Sequence, residues 1–167
     1  MRIIHLTTFW TVALDIFAWF VIHMAVVLFM VRIPREQFHP DTPLYRVRPW
    51  ERGGRLYTEM FRIKSWKSIL PDAAKWIKGR GFPKKNLASR DIHYLEVFAV
   101  ETCRAELTHW TIILCAPFFF LWNKPGVGWI MIVYALVENI PLIMAQRYNR
   151  CRLDFLCRKS RLRRDHK

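Results

Sequence analysis

Three apolar blocks separated by charged sequence set the pattern of this chain. The first covers residues 8–31, with Asp15 and His23 its only ionisable positions. A helix that crosses a bilayer needs about 20 residues, so this block predicts a membrane span. A signal peptide has a shorter apolar core, about 7–15 residues, and ends in small residues. Here Arg32, Ile33, Pro34 and Arg35 follow the block instead, so it predicts a retained anchor. The second block covers 108–122 and the third 126–145, joined by a short turn at 123–126. The predicted fold is an all-α integral membrane protein, one domain over 1–167. It has three transmembrane helices, a loop over 32–107 and a basic tail over 147–167.

Between the first two blocks the pattern changes twice. Residues 32–55 contain Pro34, Pro40, Pro43 and Pro49, then Gly53 and Gly54. Such a stretch cannot hold a long helix and predicts an extended linker along the membrane surface. Over 56–78, Leu56, Met60, Ile63, Leu70, Ala74 and Ile77 recur at helical spacing, and Trp66 widens that face. Lys64, Lys67, Lys75 and Lys78 occupy the other side. This predicts an amphipathic helix at the membrane interface, kinked or divided at Pro71. Residues 79–86 predict a loop, whose Arg80, Lys84 and Lys85 read more readily as solvated charge than as a phosphate site. Ser89 or Asp91 can cap a helix that starts at Ile92.

Charge sharpens the picture. The net charge is +14, and 53% of residues are hydrophobic. A basic chain raises the question of nucleic acid, but the distribution argues against it. Fifteen of the 27 Lys and Arg lie in 32–90 and nine in 147–167, both next to apolar blocks. The positive-inside rule then puts both stretches in the cytoplasm, with the N-terminus outside and the C-terminus inside. The bilayer itself is the predicted partner of this basic surface. Cys103, Cys115, Cys151 and Cys157 show no C-x-x-C spacing, so neither a disulfide framework nor a zinc site is predicted.

The candidate chemistry lies where the helix from Ile92 enters the second block. With Glu101 at the origin, roughly 100° per residue puts Arg104 near −60°, His109 near 80° and Glu106 near 140°. The imidazole thus falls between two carboxylates with a guanidinium on the flank. Ionisable groups at a membrane boundary are costly to desolvate and point to function. The third block delivers Asn139 and then Gln146, Arg147, Tyr148, Asn149, Arg150 and Arg152 to the same depth. Two readings of this convergence stay open: a catalytic mouth, or an ion-paired network that locks helices together. Asn139 also has a bland reading, as the partner of the carbonyl that Pro141 frees.

The segments WERGGRLYTEMFRIKSWKSILPDA (50–73), ETCRAELTHW (101–110) and ENIPLIMAQRYNRCR (138–152), with RIP at 32–34, resemble the glycosyl-4,4′-diaponeurosporenoate acyltransferase family of staphyloxanthin-type carotenoid synthesis. The chain departs from that pattern at Cys151, in place of a proline, and in 72–90. The resemblance implies a bacterial cell-membrane enzyme that esterifies a sugar hydroxyl of a glycosylated C30 carotenoid with a fatty acyl group. Acyl-CoA or acyl carrier protein would be the donor, with no bound cofactor or metal. His109 would be the base, oriented by Glu106 or Glu101, and Arg104, Arg147 or Asn149 would meet developing charge. Tyr148, Arg150, Arg152, Asn139 and Gln146 would line the site, and Trp66, Lys64 and Lys67 would meet the donor. A homo-oligomer is compatible with so small a chain. Two other classes remain: a different membrane lipid-modifying transferase such as a methyltransferase, and a non-enzymatic scaffold for anionic lipid.

Overall fold

The computed structural model describes residues 7–70 and 91–165, and every regular element among them is helical. The elements are α1 (Thr8–Arg32), α2 (Arg55–Glu59), α3 (Ile63–Trp66), α4 (Ile92–Cys115) and α5 (Pro125–Asp165), with 3-10 stretches between them. The expected kink at Pro71, the Lys75 and Lys78 face and the 79–86 loop lie outside the described residues.

Each boundary has a local cause. α1 stops at Arg32, where Ile33 takes extended geometry (φ −69°, ψ 126°) ahead of Pro34. The carboxylate of Asp91 caps α4 by accepting the Tyr94 backbone N–H at 3.3 Å. The α-helical part of the second apolar block ends at Cys115. Pro117 follows, and the chain continues as the 3-10 stretch Ala116–Leu121, because proline disfavours helical geometry just before it and donates no hydrogen bond. Among the described residues two helices, α1 and α5, are long and apolar enough to cross a membrane. Residues 108–122 do not add a third such helix.

α5 opens on Pro125, a residue already set for the first helical turn, and continues for 41 residues with Pro141 inside it. Apolar block and arginine-rich tail therefore belong to one helix. The interfacial helix expected over 56–78 is broken within its described part. α2 ends at Glu59, Arg62 takes left-handed geometry (φ 47°), and α3 is one turn long. Residues 32–55 also depart from the expected surface linker. They fold inward through short 3-10 turns and bury Phe38, Tyr45 and Glu51.

The chain forms two compact units, and α4 and α5 are each divided between them. One unit comprises residues up to Ile33 and Leu107–Pro141. Its apolar contacts centre on Val26, Met30 and Ile112, and Trp19 stacks on Phe119 at 4.6 Å between ring centres. Asp15 is buried and accepts hydrogen bonds from Trp122 Nε1 and Asn123 Nδ2, both at 2.7 Å. This explains a carboxylate in the first apolar block: two donors from the α4–α5 connection satisfy it. His23 donates through Nδ1 to the Trp19 carbonyl at 2.8 Å, and its Nε2 meets Glu138 at 3.3 Å.

The other unit comprises Pro34–Glu106 and Leu142 onward. Tyr57, Ile63, Ala145, Tyr148 and Cys151 form one buried cluster. Leu95, Phe98, Ala99 and Leu153 form another.

Asp15→Ala strands the buried Asn123 amide and the half-buried Trp122 indole N–H, so it should lower the unfolding free energy of the purified protein by about 1–3 kcal/mol. Asp15→Asn keeps an acceptor oxygen and should lose less. Thermal unfolding in detergent, run on both variants, checks the order.

Candidate functional site

In the unit that contains Pro34–Glu106, buried carboxylates from two elements meet guanidiniums from a third. Glu51 comes from the 3-10 stretch Pro49–Gly54, Glu106 from α4, and Arg147 and Arg150 from α5. Arg147 grips Glu51 with two nitrogens, Nε at 2.9 Å and Nη2 at 3.0 Å. Its third nitrogen reaches Glu106 at 3.1 Å. Arg150 takes the other Glu106 oxygen at 2.5 Å and also donates to Thr102 Oγ1 and the Tyr45 carbonyl. Tyr57 and the Arg48 backbone N–H complete Glu51 at 2.7 and 2.5 Å. Glu51, Glu106 and Arg150 are each no more than 3% exposed. Two negative and two positive charges thus close on one another, with Arg147 alone of the four partly exposed.

Why the loop can reach α5 is legible in Gly54. Its φ of 94° is left-handed, and a Cβ there would sit 3.3 Å from Cys151 Cβ and 3.4 Å from the Tyr148 ring. Glycine permits both the turn and the close approach. A second pairing lies one turn back on α4. Glu101 is buried and accepts from Arg35 Nε at 2.8 Å and Arg104 Nη1 at 3.2 Å.

The electrostatics follow from these contacts. Burial alone would raise the Glu51 carboxyl; the hydrogen bonds from Arg147, Arg48 and Tyr57 outweigh it and hold it below its ordinary value. Tyr57 is pushed up, first by burial and then by the Glu51 carboxylate. Burial lifts the Cys103 thiol to about 11, which keeps it protonated and unreactive.

His109 belongs to the other unit, three residues beyond Glu106 on α4. Its Nδ1 lies 2.9 Å from Asn139 Oδ1, and Asn139 Nδ2 donates to the Ala135 carbonyl at 2.9 Å. A carbonyl only accepts, so the amide is fixed with Nδ2 toward Ala135 and Oδ1 toward the ring. Oδ1 then needs a donor, which puts the imidazole hydrogen on Nδ1 and makes Nε2 the basic nitrogen. The orienting partner at Nδ1 is thus an amide, and the Glu106 oxygens go to Arg147 and Arg150. Asn139 also does not serve the carbonyl that Pro141 frees; it bonds Ala135 instead.

The remaining positions divide. Tyr148 is buried, with Lys67 and Arg152 near its ring face at 5.3 and 5.8 Å. Lys67 donates to Asn149 Oδ1. Trp66 donates to the Phe61 carbonyl and packs on the Tyr57–Tyr148 cluster. Gln146 is buried, and Lys64 is exposed. Among the described residues no group of three His, Cys, Asp or Glu could hold a metal ion. Sequence reasoning missed Glu51, Tyr45, Tyr57 and Arg35. A carboxylate flanked by Arg48, Arg52 and a glycine pair was the available signal.

Beside this network lies an open cavity of about 560 Å³, whose lining includes Asp41, Arg46, Glu96, Ala99, Asp154 and Arg158.

Glu51 has a depressed carboxyl, so its contribution to stability is complete above its unfolded value of 4.5 and is lost as pH falls through the lower folded value. Glu51→Gln should cost about 3–5 kcal/mol at neutral pH, because Arg147 loses its buried partner. It should also flatten the acid limb of a stability–pH curve; denaturant unfolding between acid and neutral pH reads both effects.

Comparison with known proteins bears on what this arrangement serves. The model of the glycosyl-4,4′-diaponeurosporenoate acyltransferase family matches residues 41–159. A protein of that name from Staphylococcus haemolyticus (strain JCSC1435) is 32% identical over 149 residues, covering 89% of this chain and 85% of its own. Its namesakes from Staphylococcus aureus strains MRSA252 and N315 are 32% and 30% identical over 142 residues, covering 84% of each chain. No solved structure gives a significant match. The matched span holds the ionic network, the His109–Asn139 pair and the cavity, and on that ground the chain belongs to the glycosyl-4,4′-diaponeurosporenoate acyltransferase family and is an acyltransferase.

Proposed function

We propose that this protein works in the bacterial cell membrane, where it esterifies a sugar hydroxyl of a glycosylated C30 carotenoid with a fatty acyl group. The observation that carries the chemistry is the His109–Asn139 hydrogen bond, which places a ring hydrogen on Nδ1 and gives the proton-accepting role to Nε2. An alcohol is a poor nucleophile at neutral pH and needs a positioned base. Nε2 takes the hydroxyl proton as the sugar oxygen attacks the acyl carbonyl of a thioester, acyl-CoA or acyl carrier protein. The new C–O bond forms, the C–S bond breaks, and the proton leaves with the thiol. Asn139 holds the ring in the tautomer this requires.

The membrane setting rests on uncovered apolar surface. Only 17% of the apolar window of α1 and 22% of that of α5 is buried, whereas the core helix of a soluble protein would be mostly buried. Phe9, Ile16, Phe17, Ile130 and Val137 are each more than 60% exposed. Hydrocarbon is the solvent such a surface fits. On this reading the basic stretches face the anionic cytoplasmic leaflet, the N-terminus is outside, and residues 108–122 with their 3-10 turn make a third crossing. Glu101, Arg104, Glu106, Arg147 and Arg150 hold together the elements of their own unit.

The cavity beside the network supports the acceptor. Carboxylates (Asp41, Glu96, Asp154) and guanidiniums (Arg46, Arg150, Arg158) both line it. Sugar hydroxyls donate and accept at once, so a mixed lining of this kind suits them better than a purely basic one.

His109→Ala should abolish acyl transfer while the protein still inserts and folds. Asn139→Ala should cost about 10²-fold or more, the scale of general-base catalysis. The assay is mass spectrometry of carotenoids from cells expressing each variant, read for the gain of one fatty acyl group. Near-normal acylation by His109→Ala would remove His109 from the base role.

A further inference from the structure

Around Tyr148 two cations share one aromatic ring, and among the described residues neither meets a counter-charge. Lys67 opens the 3-10 turn Lys67–Ile69, and Arg152 lies one helical turn beyond Tyr148 on α5. The Lys67 ammonium is 5.3 Å from the Tyr148 ring centre, and the Arg152 guanidinium 5.8 Å. Lys67 is half-buried and tethered to Asn149 Oδ1. Among the described residues neither cation makes an ion pair. The contrast along α5 is sharp: Arg147 and Arg150 close on Glu51 and Glu106, and Arg158 closes on Asp154.

Like charges held near one another around a partly desolvated amine are unfavourable unless something compensates. Nearby cations are usually kept apart or matched with carboxylates; here Asn149 and Tyr148 hold the amine in place instead. The wall behind it is greasy. Tyr148 belongs to the buried cluster with Tyr57, Ile63 and Cys151, and Trp66, Leu70 and Met144 pack against it. A cationic pair on an apolar wall fits an amphiphile with an anionic head. Phosphate is the head that lysine meets as a point charge and arginine as a fork.

We propose that Lys67 and Arg152, with Tyr148 and Asn149, form a binding site for the phosphate group of an amphiphilic ligand. Two sources carry that chemistry: the phosphate-bearing carrier of an activated acyl chain, and the headgroup of an anionic phospholipid. Identifying the phosphate with an acyl donor rests on the acyl-transfer reading; the binding of phosphate does not.

The test uses the full chain in a phosphate-free detergent such as dodecyl maltoside. Reaction of Lys67 with an amine reagent, read by peptide mass spectrometry against pH, follows its ionisation. Burial first, and Arg152 second, lower the Lys67 amine to about 8. A bound phosphate favours the charged form, so it should raise that midpoint by about one unit and slow labelling at pH 8 about fivefold. Exposed Lys64 serves as the internal control and should not respond. One arm adds coenzyme A and the other phosphatidylglycerol.

Protection by coenzyme A alone identifies the donor's carrier. Protection by phosphatidylglycerol alone identifies a headgroup site, and protection by both a general phosphate site; each supports the proposal. Arg152→Met should abolish the protection with circular dichroism unchanged, while Arg152→Lys should keep part of it. No protection in either arm, or full protection in Arg152→Met, overturns the site. Neither arm involves turnover, so failure of acyl transfer would leave this result standing.

Discussion

A guanidinium buried beside a carboxylate is tolerable only when nearly every donor and lone pair is used. That constraint governs the unit built on the loop, the first turns of α4 and the tail of α5. Glu51 and Glu106 cannot be buried unless Arg147 and Arg150 arrive, and the arginines cannot be buried without the carboxylates. Arg147 contributes three nitrogens to this closure and Arg150 three. Segments about a hundred residues apart in sequence are thereby fixed against one another. Gly54 then lets the loop lie on Tyr148 and Cys151. The conformation of the loop is thus set more by charge than by its modest apolar content.

Much of this was legible beforehand. Apolar blocks of bilayer length read directly as α1 and α5, because hydrophobicity over twenty positions leaves little ambiguity. The Asp91 cap was likewise a local signal with a local outcome. The meeting of the α4 carboxylate Glu106 with α5 arginines followed from charge spacing and a short connection between the two helices. Other features depended on contacts that no window reveals. A proline-rich stretch does exclude a long helix, yet the choice between a surface linker and a buried turn lay with Arg147. The helical periodicity over 56–70 was real, but Arg62 breaks it with left-handed geometry, and Trp66 packs on the Tyr57–Tyr148 cluster from a separate turn.

The histidine shows the same division at finer scale. The helical wheel put His109 on a face with two carboxylates, and a carboxylate is the obvious orienting group for an imidazole. Each carboxylate on that face has guanidinium partners. The amide of Asn139 takes the Nδ1 side of the ring and fixes the tautomer through its own bond to Ala135. An amide in that place orients the ring without setting a negative charge against its Nδ1.

The central claim is that mutual neutralisation of buried charges, rather than each charge separately, builds the unit. A double-mutant cycle on Glu106 and Arg150 tests it most directly, with Glu106→Gln, Arg150→Met and the combined variant unfolded in denaturant under identical detergent conditions. The account predicts that each single change is strongly destabilising and that the double variant loses far less than their sum, with a coupling energy of about 2–3 kcal/mol. Strictly additive losses would contradict it.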